Sequence, residues 1–261
     1  MYEVQRGSRG VIGTSVMNHA TFGNHLLDAL PREEVGRLSA HLRRVFLHRG
    51  QILASPGDAA EFLYFPIDAL LWSWTTTTGA ERPTSLLTTG RRGAMSLDSL
   101  LDLPSTHGNV AVLSPGSAWR VARTALESLS RAIDSPIRRM LTRFAYASFA
   151  VCAYRLACNS EHNVDRRLAR WLLFIMDETG KPEASLTHQQ IADVAAIRRP
   201  SVSLAFSDLQ RRGIVRVHHG LVQILNRERL ERETCPCYTA IRVALEDALS
   251  GESLSELSAS G

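Results

Sequence analysis

The stretch whose reading decides the fold runs from Leu186 to Leu225: LTHQQIADVAAIRRPSVSLAFSDLQRRGIVRVHHGLVQIL. Thr187 and Gln190 form a T-x-x-Q capping box, in which each side chain satisfies a free backbone N–H at a helix start, so a helix is predicted to open at His188. Ile191, Val194 and Ala195 give it one apolar face. A second helix follows after Ala196 and Ile197, with Pro200 in its first turn, where no backbone donor is lost. Val202, Ala205, Phe206 and Leu209 repeat at helical spacing and predict its buried side. Gly213, after Arg211 and Arg212, is a stop signal. Ile214–Val217 and Leu221–Leu225 are β-type runs around His218, His219 and Gly220, and they predict a two-stranded wing.

The solvent side of the second helix carries chemistry. Arg198, Arg199, Ser201 and Ser203 cluster at its N-terminal end, where a recognition helix in a major groove meets base edges and phosphates. Arginine is the side chain best shaped to grip guanine O6 and N7 together. Cap, turn, basic tip and wing in this order predict a module for double-stranded DNA. The plain alternative is two helices packed by the same apolar residues with solvated arginines.

Charge is distributed to match. Residues 1–130 hold 12 basic and 11 acidic side chains, residues 131–232 hold 17 and 10, and the last 29 residues hold 1 and 5, within a net charge of +4. Positive charge thus gathers on the segment with the helix pair, as phosphate binding requires. Lys181 is the only lysine, so a single arginine carries less information here than it would elsewhere. With 261 residues, 44% of them hydrophobic, the chain is long enough for two domains with their own cores. No apolar run reaches the roughly 20 residues that span a bilayer and no signal-peptide core opens the chain, so a cytoplasmic protein without membrane contact is expected.

Outward from the helix pair, residues 1–20 read as a flexible leader rich in Gly, Ser and Arg. Residues 24–44 suggest helical segments interrupted at Pro31. Short β-type runs follow at Phe46–Ala54, Glu61–Phe65, Ala69–Thr78, Thr84–Thr89 and Val110–Val121, punctuated by Gly and Pro. They predict a small antiparallel roll over residues 21–130 with room for a ligand. Ser135 and Pro136 then open a long helix over residues 131–160. Along it Met140, Phe144, Ala147, Val151, Tyr154 and Cys158 repeat in steps of three and four, a seam of the coiled-coil kind that a homodimer would bury. A further helix, Asp165–Asp177, begins the DNA-binding domain of residues 161–228, with the hinge near 159–163. Residues 229–261 read as an acidic C-terminal extension. The class is α+β: an N-terminal antiparallel, jelly-roll-like β-roll, a long dimerisation helix and a C-terminal winged helix-turn-helix.

This order resembles the Crp/Fnr family of bacterial transcription regulators over roughly residues 24–228. The most specific pieces are RLARWLLFI (167–175), Leu186–Val215, FLYFPIDALLWSW (62–74) and GRRGAM (90–95). The resemblance implies phosphate contacts from Thr187, His188 and Gln189, guanine reading by Arg199, a phosphate contact from Ser201 and a wing contact from His218. Pro200 and Leu204 stand where the cyclic-AMP-dependent member has a base-reading glutamate and a second arginine, so a different operator is implied. RNA polymerase is the further partner that a regulator of this kind implies. The family's cyclic-nucleotide cassette, a glutamate just after a glycine and then an Arg-Ser or Arg-Thr pair, is degenerate: Ala94 follows Gly93, and residues 104–109 read PSTHGN. A cyclic phosphate buried without its arginine would be a poorly compensated anion, so control by ordinary cyclic AMP is not expected. Arg91 and Arg92 are weak candidates for contacting another, unidentified small-molecule effector, against the simpler reading of turn residues facing water.

The N-terminal cysteines of the family's iron-sulfur branch are missing, since the first cysteine is Cys152. No metal or other cofactor is expected. A zinc role for Cys235 and Cys237 with His218 or His219 stays open as an alternative, while His162 and His48 show no partner pattern. No catalytic constellation stands out, so an enzyme is not expected. The competing function is a sensor or regulatory subunit whose helix-turn-helix docks on a protein.

Overall fold

A computed structural model describes residues 21–250 apart from residues 60, 77, 78, 80, 81, 100–104 and 133. The leader of residues 1–20 and the end of the acidic extension lie outside the described residues. In chain order the elements are α1 (His25–Asp28), α2 (Arg32–Ser39), β1 (Arg43–Leu47), β2 (Ile52–Ala54), β3 (Phe62–Pro66), β4 (Leu70–Thr75), β5 (Thr84–Thr89), β6 (Asn109–Ser114) and β7 (Gly116–Ala122). There follow α3 (Arg123–Ser130), α4 (Pro136–Glu161), α5 (Val164–Thr179), β8 (Glu183–Ser185), α6 (His188–Val194), α7 (Arg199–Arg211), β9 (Val215–His218), β10 (Leu221–Ile224), α8 (Arg227–Glu233) and α9 (Cys237–Ser250).

The roll consists of two antiparallel sheets, ordered β1-β7-β3 and β2-β6-β4-β5. The inner residues Leu47, Tyr64, Leu71, Met95, Val112 and Ala118 are buried together between them. The run expected as one strand over Phe46–Ala54 is two strands, because the chain turns at Gly50, which takes a positive φ of 73°. Gly116 opens β7 where a Cβ would lie 2.5 Å from the Ala69 backbone nitrogen, so only glycine fits that crossing.

Helix α4 starts as read, with Ser135 capping the Arg138 N–H and Pro136 at the first position. It runs 26 residues and ends at His162, the C-cap, directly before Asn163, which caps α5. Two residues, His162 and Asn163, thus join α4 to α5 where the hinge was expected near 159–163. Gly180, at φ 68°, closes α5 in the left-handed conformation.

The chain corrects the expected dimer seam. Met140, Phe144, Ala147 and Val151 are already buried within the chain, packed with Ile241, Leu245 and Ala248 of α9 and with roll residues Leu63, Phe65 and Ala94. Cys158 is fully buried as well, whereas Tyr154 is half-exposed. The acidic extension is therefore not an appendage up to residue 250. Its α8 packs beside α5, and its α9 lies along α4 with Tyr238, Ile241, Leu245 and Ala248 facing inward at helical spacing. A different stripe of α4 stays uncovered: Tyr146, Phe149 and Leu156 are 75%, 71% and 69% exposed. Truncating Ile241 to alanine should lower stability by about 2–5 kcal/mol, the ordinary cost of emptying a full site. Denaturant unfolding checks this, and a loss below about 0.5 kcal/mol would mean that α9 is not part of the folded body.

Candidate nucleic-acid interface

The helix pair forms as its local sequence dictates. Thr187 Oγ1 accepts from the Gln190 N–H at 3.2 Å, and the Thr187 N–H donates to Gln190 Oε1 at 3.0 Å, so both halves of the capping box are made. The joint between α6 and α7 passes through Ala196 at φ 53°, a conformation that costs a non-glycine residue roughly 1–2 kcal/mol. Contacts distant in sequence hold it there. Arg167 of α5 donates to the Ala195 and Ala196 carbonyls at 3.0 and 2.7 Å, and Arg155 of α4 donates to the Val194 carbonyl at 2.7 Å. Two guanidiniums thus cap the C-terminal end of α6, where the helix dipole favours cations. Arg155 also reaches Ser85 Oγ at 2.9 Å and the Leu86 carbonyl, so one side chain joins roll, long helix and helix pair. Its pKa falls to about 10, first through burial and then through the charge of Arg170.

Helix α7 buries Val202, Ala205, Phe206 and Leu209 and turns Arg199, Pro200, Leu204 and Ser207 outward. Arg198 caps it through its backbone and is exposed. Ser201 and Ser203 are half-buried at the edge of this face. His188 and Ser203, both read as DNA contacts, meet each other: His188 Nδ1 lies 3.0 Å from Ser203 Oγ, and the ring stacks on Phe206 with centroids 5.0 Å apart. The pair therefore bridges α6 and α7. Burial and then the Arg199 charge hold the His188 imidazole below its ordinary pKa, in the neutral form that stacking on Phe206 suits. Thr187 and Gln189 stand exposed at the front of α6, with Gln189 also donating to Asp193 Oδ1 at 2.8 Å.

The wing is a three-stranded sheet ordered β8-β10-β9, one strand more than the hairpin expected. Its tip, His219 and Gly220, takes positive φ at both residues, as a two-residue hairpin turn demands. His218 and His219 are exposed there, on the side of the helix pair that the wing extends. Cys235 and Cys237 sit instead beside Cys158 and His162 at the far end of α4, so the open alternative joining them to the wing histidines does not form.

The weak effector candidates Arg91 and Arg92 are placed elsewhere than in the roll's cavity. The buried carboxylate of Glu178 accepts from Arg92 Nε at 2.7 Å and from the Gly90 N–H at 2.9 Å, while the Arg91 N–H donates to the Glu178 carbonyl at 2.8 Å. Arg91 packs against Gly180 so closely that a Cβ there would meet its guanidinium. Asp177 adds a second carboxylate 3.7 Å from Arg92 and also pairs with Arg227 at 2.9 Å and accepts from Tyr238 Oη at 2.8 Å. Burial opposes the charge of Arg92, but Glu178 and Asp177 outweigh it and hold the guanidinium firmly protonated. The 90–92 turn is thus the dock between roll and α5. The roll's own cavity, of about 360 Å³, is lined by Ser73, Thr75, Leu86, Met95, Thr106 and His107 among others, and no arginine or lysine is among its described lining residues.

A winged helix-turn-helix hung from a β-roll through a long helix is the architecture of the Crp/Fnr regulators. Residues 166–233 match the Crp-like helix-turn-helix domain. The transcriptional regulator LdrP of Thermus thermophilus is 36% identical over 73 residues, a match that spans 26% of this chain and 37% of LdrP. The structure of FixK2 from Bradyrhizobium japonicum superposes with a TM-score of 0.62 at 18% identity, covering 74% of this chain and 98% of that one. TTHB099, a CRP-family transcriptional regulator of Thermus thermophilus, gives 0.59 at 20% identity over 73% and 95%. At these identities the two structures establish the shared fold.

Proposed function

We propose that the protein is a homodimeric, sequence-specific DNA-binding transcription regulator rather than an enzyme, acting in the cytoplasm with RNA polymerase as a further partner. The observation that carries this is the outward face of α7, where Arg199, Pro200, Leu204 and Ser207 stand clear beside the exposed front of α6 and the wing. Arg199 reads guanine; Arg198, Ser201 and His218, with Thr187 and Gln189, hold phosphates on either side. Leu204, 73% exposed on this face, is an apolar side chain suited to a thymine methyl. His188 and Ser203 act mainly by fixing the angle between the two helices. In a two-fold dimer built on α4 the two α7 helices enter successive major grooves about 34 Å apart, over a near-palindromic site.

Selection of bound genomic fragments by the purified protein should yield one two-fold-related motif. Protein partners retained without any enriched sequence would instead favour a helix-turn-helix that docks on protein. Arg199→Ala should cost about 1–3 kcal/mol on the selected site and relax one base position, while barely changing affinity for random DNA. Equal losses on both would remove base reading from Arg199.

We infer further that cyclic AMP does not control this protein, because its phosphate would enter the roll without a cationic partner. Cyclic AMP should leave the melting temperature unchanged. Binding at 100-fold over a dissociation constant would stabilise by about 2.7 kcal/mol, so a shift of several degrees would overturn the inference.

A further inference from the structure

At the C-terminal end of α4, four side chains from two segments distant in sequence converge. Cys158 lies in the last turn of α4, His162 is its C-cap, Cys235 sits in the turn after α8, and Cys237 begins α9. Their donor atoms all lie within 4.8 Å of one another. Cys158 Sγ is 3.5 Å from Cys235 Sγ, and Cys237 Sγ is 3.7 Å from His162 Nδ1.

These separations have a chemical meaning. With zinc–sulfur bonds of about 2.3 Å and zinc–nitrogen bonds of about 2.0–2.1 Å, tetrahedral geometry sets sulfur pairs about 3.8 Å apart and sulfur–nitrogen pairs about 3.6 Å apart. Both close contacts fall near those edges. An iron-sulfur cluster spreads its four ligands over two or more iron atoms, so that all four donors could not lie within 4.8 Å of one another as they do here. The donor set of three thiols and one imidazole, with no carboxylate, selects a soft or borderline metal over magnesium or calcium.

Charge supplies an independent observation. Arg167 and Arg170 of α5 lie near enough for their charges to favour thiolates here, Arg167 at Cys158 and Cys235 and Arg170 at Cys235, although burial is the larger effect on the Cys235 thiol and pushes it up. Arg170 is only 2% exposed, and its Nε has no hydrogen-bond partner among the described residues. A buried guanidinium needs a nearby negative charge. Neutral thiols provide none. Three thiolates and a neutral imidazole around Zn²⁺ carry a net charge of −1, beside both arginines. Cys158 and Cys235 are buried while His162 and Cys237 are half-exposed, which leaves a side open for the ion to enter.

We propose that Cys158, His162, Cys235 and Cys237 form a Cys3His site for a structural zinc ion, which staples the start of α9 to the end of α4. Loading is an acid-base exchange without redox change: Zn²⁺ displaces three thiol protons, three Zn–S bonds and one Zn–N bond form, and three H⁺ pass to solvent. Because His162 is also half of the joint between α4 and α5, the same ion fixes the hinge from which the helix pair hangs. It further holds α9 over the seam of α4 that would otherwise be bare.

The test uses the full-length chain, purified without a histidine tag and without chelators, with metal measured by plasma mass spectrometry. One zinc per chain is expected, with a large loss in Cys237→Ser and in His162→Ala. Cobalt added to the reduced, zinc-stripped protein should give thiolate-to-cobalt charge-transfer absorption and intense tetrahedral d–d bands. Stripping zinc from the wild-type chain should lower its melting temperature by several degrees, and adding zinc alone should restore it, a readout that needs no variant to fold. Protein that is metal-free as isolated and takes up neither zinc nor cobalt when reduced would overturn the proposal. So would a Cys158–Cys235 disulfide as the isolated state, or zinc bound equally by wild type and both variants. None of these readouts involves DNA, so failure here leaves the proposed function standing.

Discussion

Glu178→Ala should lower the stability of the chain by about 3–5 kcal/mol, the usual result of removing one partner from a buried ion pair. The Glu178 side chain is 2% exposed and that of Arg92 8%, so water cannot take over the lost contact. The carboxylate accepts from Arg92 Nε and from two backbone N–H groups, those of Gly90 and Arg92, and all three would be left without it in a closed interface. Glu178→Gln separates the parts of this effect: its amide oxygen still accepts from the backbone, but the charge facing Arg92 is gone. It should fall between wild type and the alanine variant. Replacing both partners by apolar residues, as in Glu178→Leu with Arg92→Met, should recover the part of the loss that comes from the Arg92 charge and leave the part that comes from the unpaired Gly90 and Arg92 N–H groups. Denaturant midpoints at constant slope measure all four proteins. A Glu178→Ala loss below about 1 kcal/mol would show that the dock between the 90–92 turn and α5 adds little, and would leave the helix pair loosely held. Gly90→Ala offers a steric check on the same contact, since its Cβ would lie 2.4 Å from the Glu178 carbonyl oxygen.

That dock also shows where sequence reading stops. Features written within a few residues were legible: the Thr187–Gln190 box, Pro200 in the first turn of α7, Ser135 before Pro136, and the alternation and turns of the roll. Each depends on local backbone chemistry. Glu178 and Arg92 stand 86 residues apart, Arg155 and Val194 stand 39 apart, and Cys158 and Cys235 stand 77 apart. Nothing local marks such partners, so GRRGAM reads as a turn with two free arginines when one of them is the anchor of an interface. The seam of α4 failed differently. That helix carries two apolar stripes at nearly the same repeat, Met140-Phe144-Ala147-Val151 and Tyr146-Phe149-Ala153-Leu156. Periodicity alone does not say which one a partner covers. The missing signal lay in α9, where Tyr238, Ile241, Leu245 and Ala248 step by three, four and three within a segment whose acidic balance suggested a solvated tail. Reading that spacing would have supplied the cover for the first stripe and turned attention to the second. The cysteines follow the same logic, since C-P-C spacing supplies only two donors and the other two come from the end of α4.

The second stripe carries the other large expected effect. Phe149→Glu together with Leu156→Glu should convert the proposed dimer to a monomer in sedimentation equilibrium, with the fold intact by circular dichroism, because both side chains already face solvent within the chain at 71% and 69% exposure. Each side chain gains roughly 1.5–3 kcal/mol when fully buried by a partner, and a carboxylate in its place reverses the sign through desolvation and mutual repulsion across the two-fold axis. The consequence for DNA is larger than the contact itself. In a dimer the second helix pair meets its half-site at the effective concentration set by the first, which raises affinity by about 10²–10⁴ without a new contact. The double variant should therefore lose that factor on a two-half-site operator and almost none on a single half-site, because Arg199 and its neighbours are untouched. Equal affinities of wild type and variant for both targets, with the variant still dimeric, would move the interface off α4. A monomeric variant that kept full operator affinity would instead mean that one helix pair, wing included, is the whole reading unit.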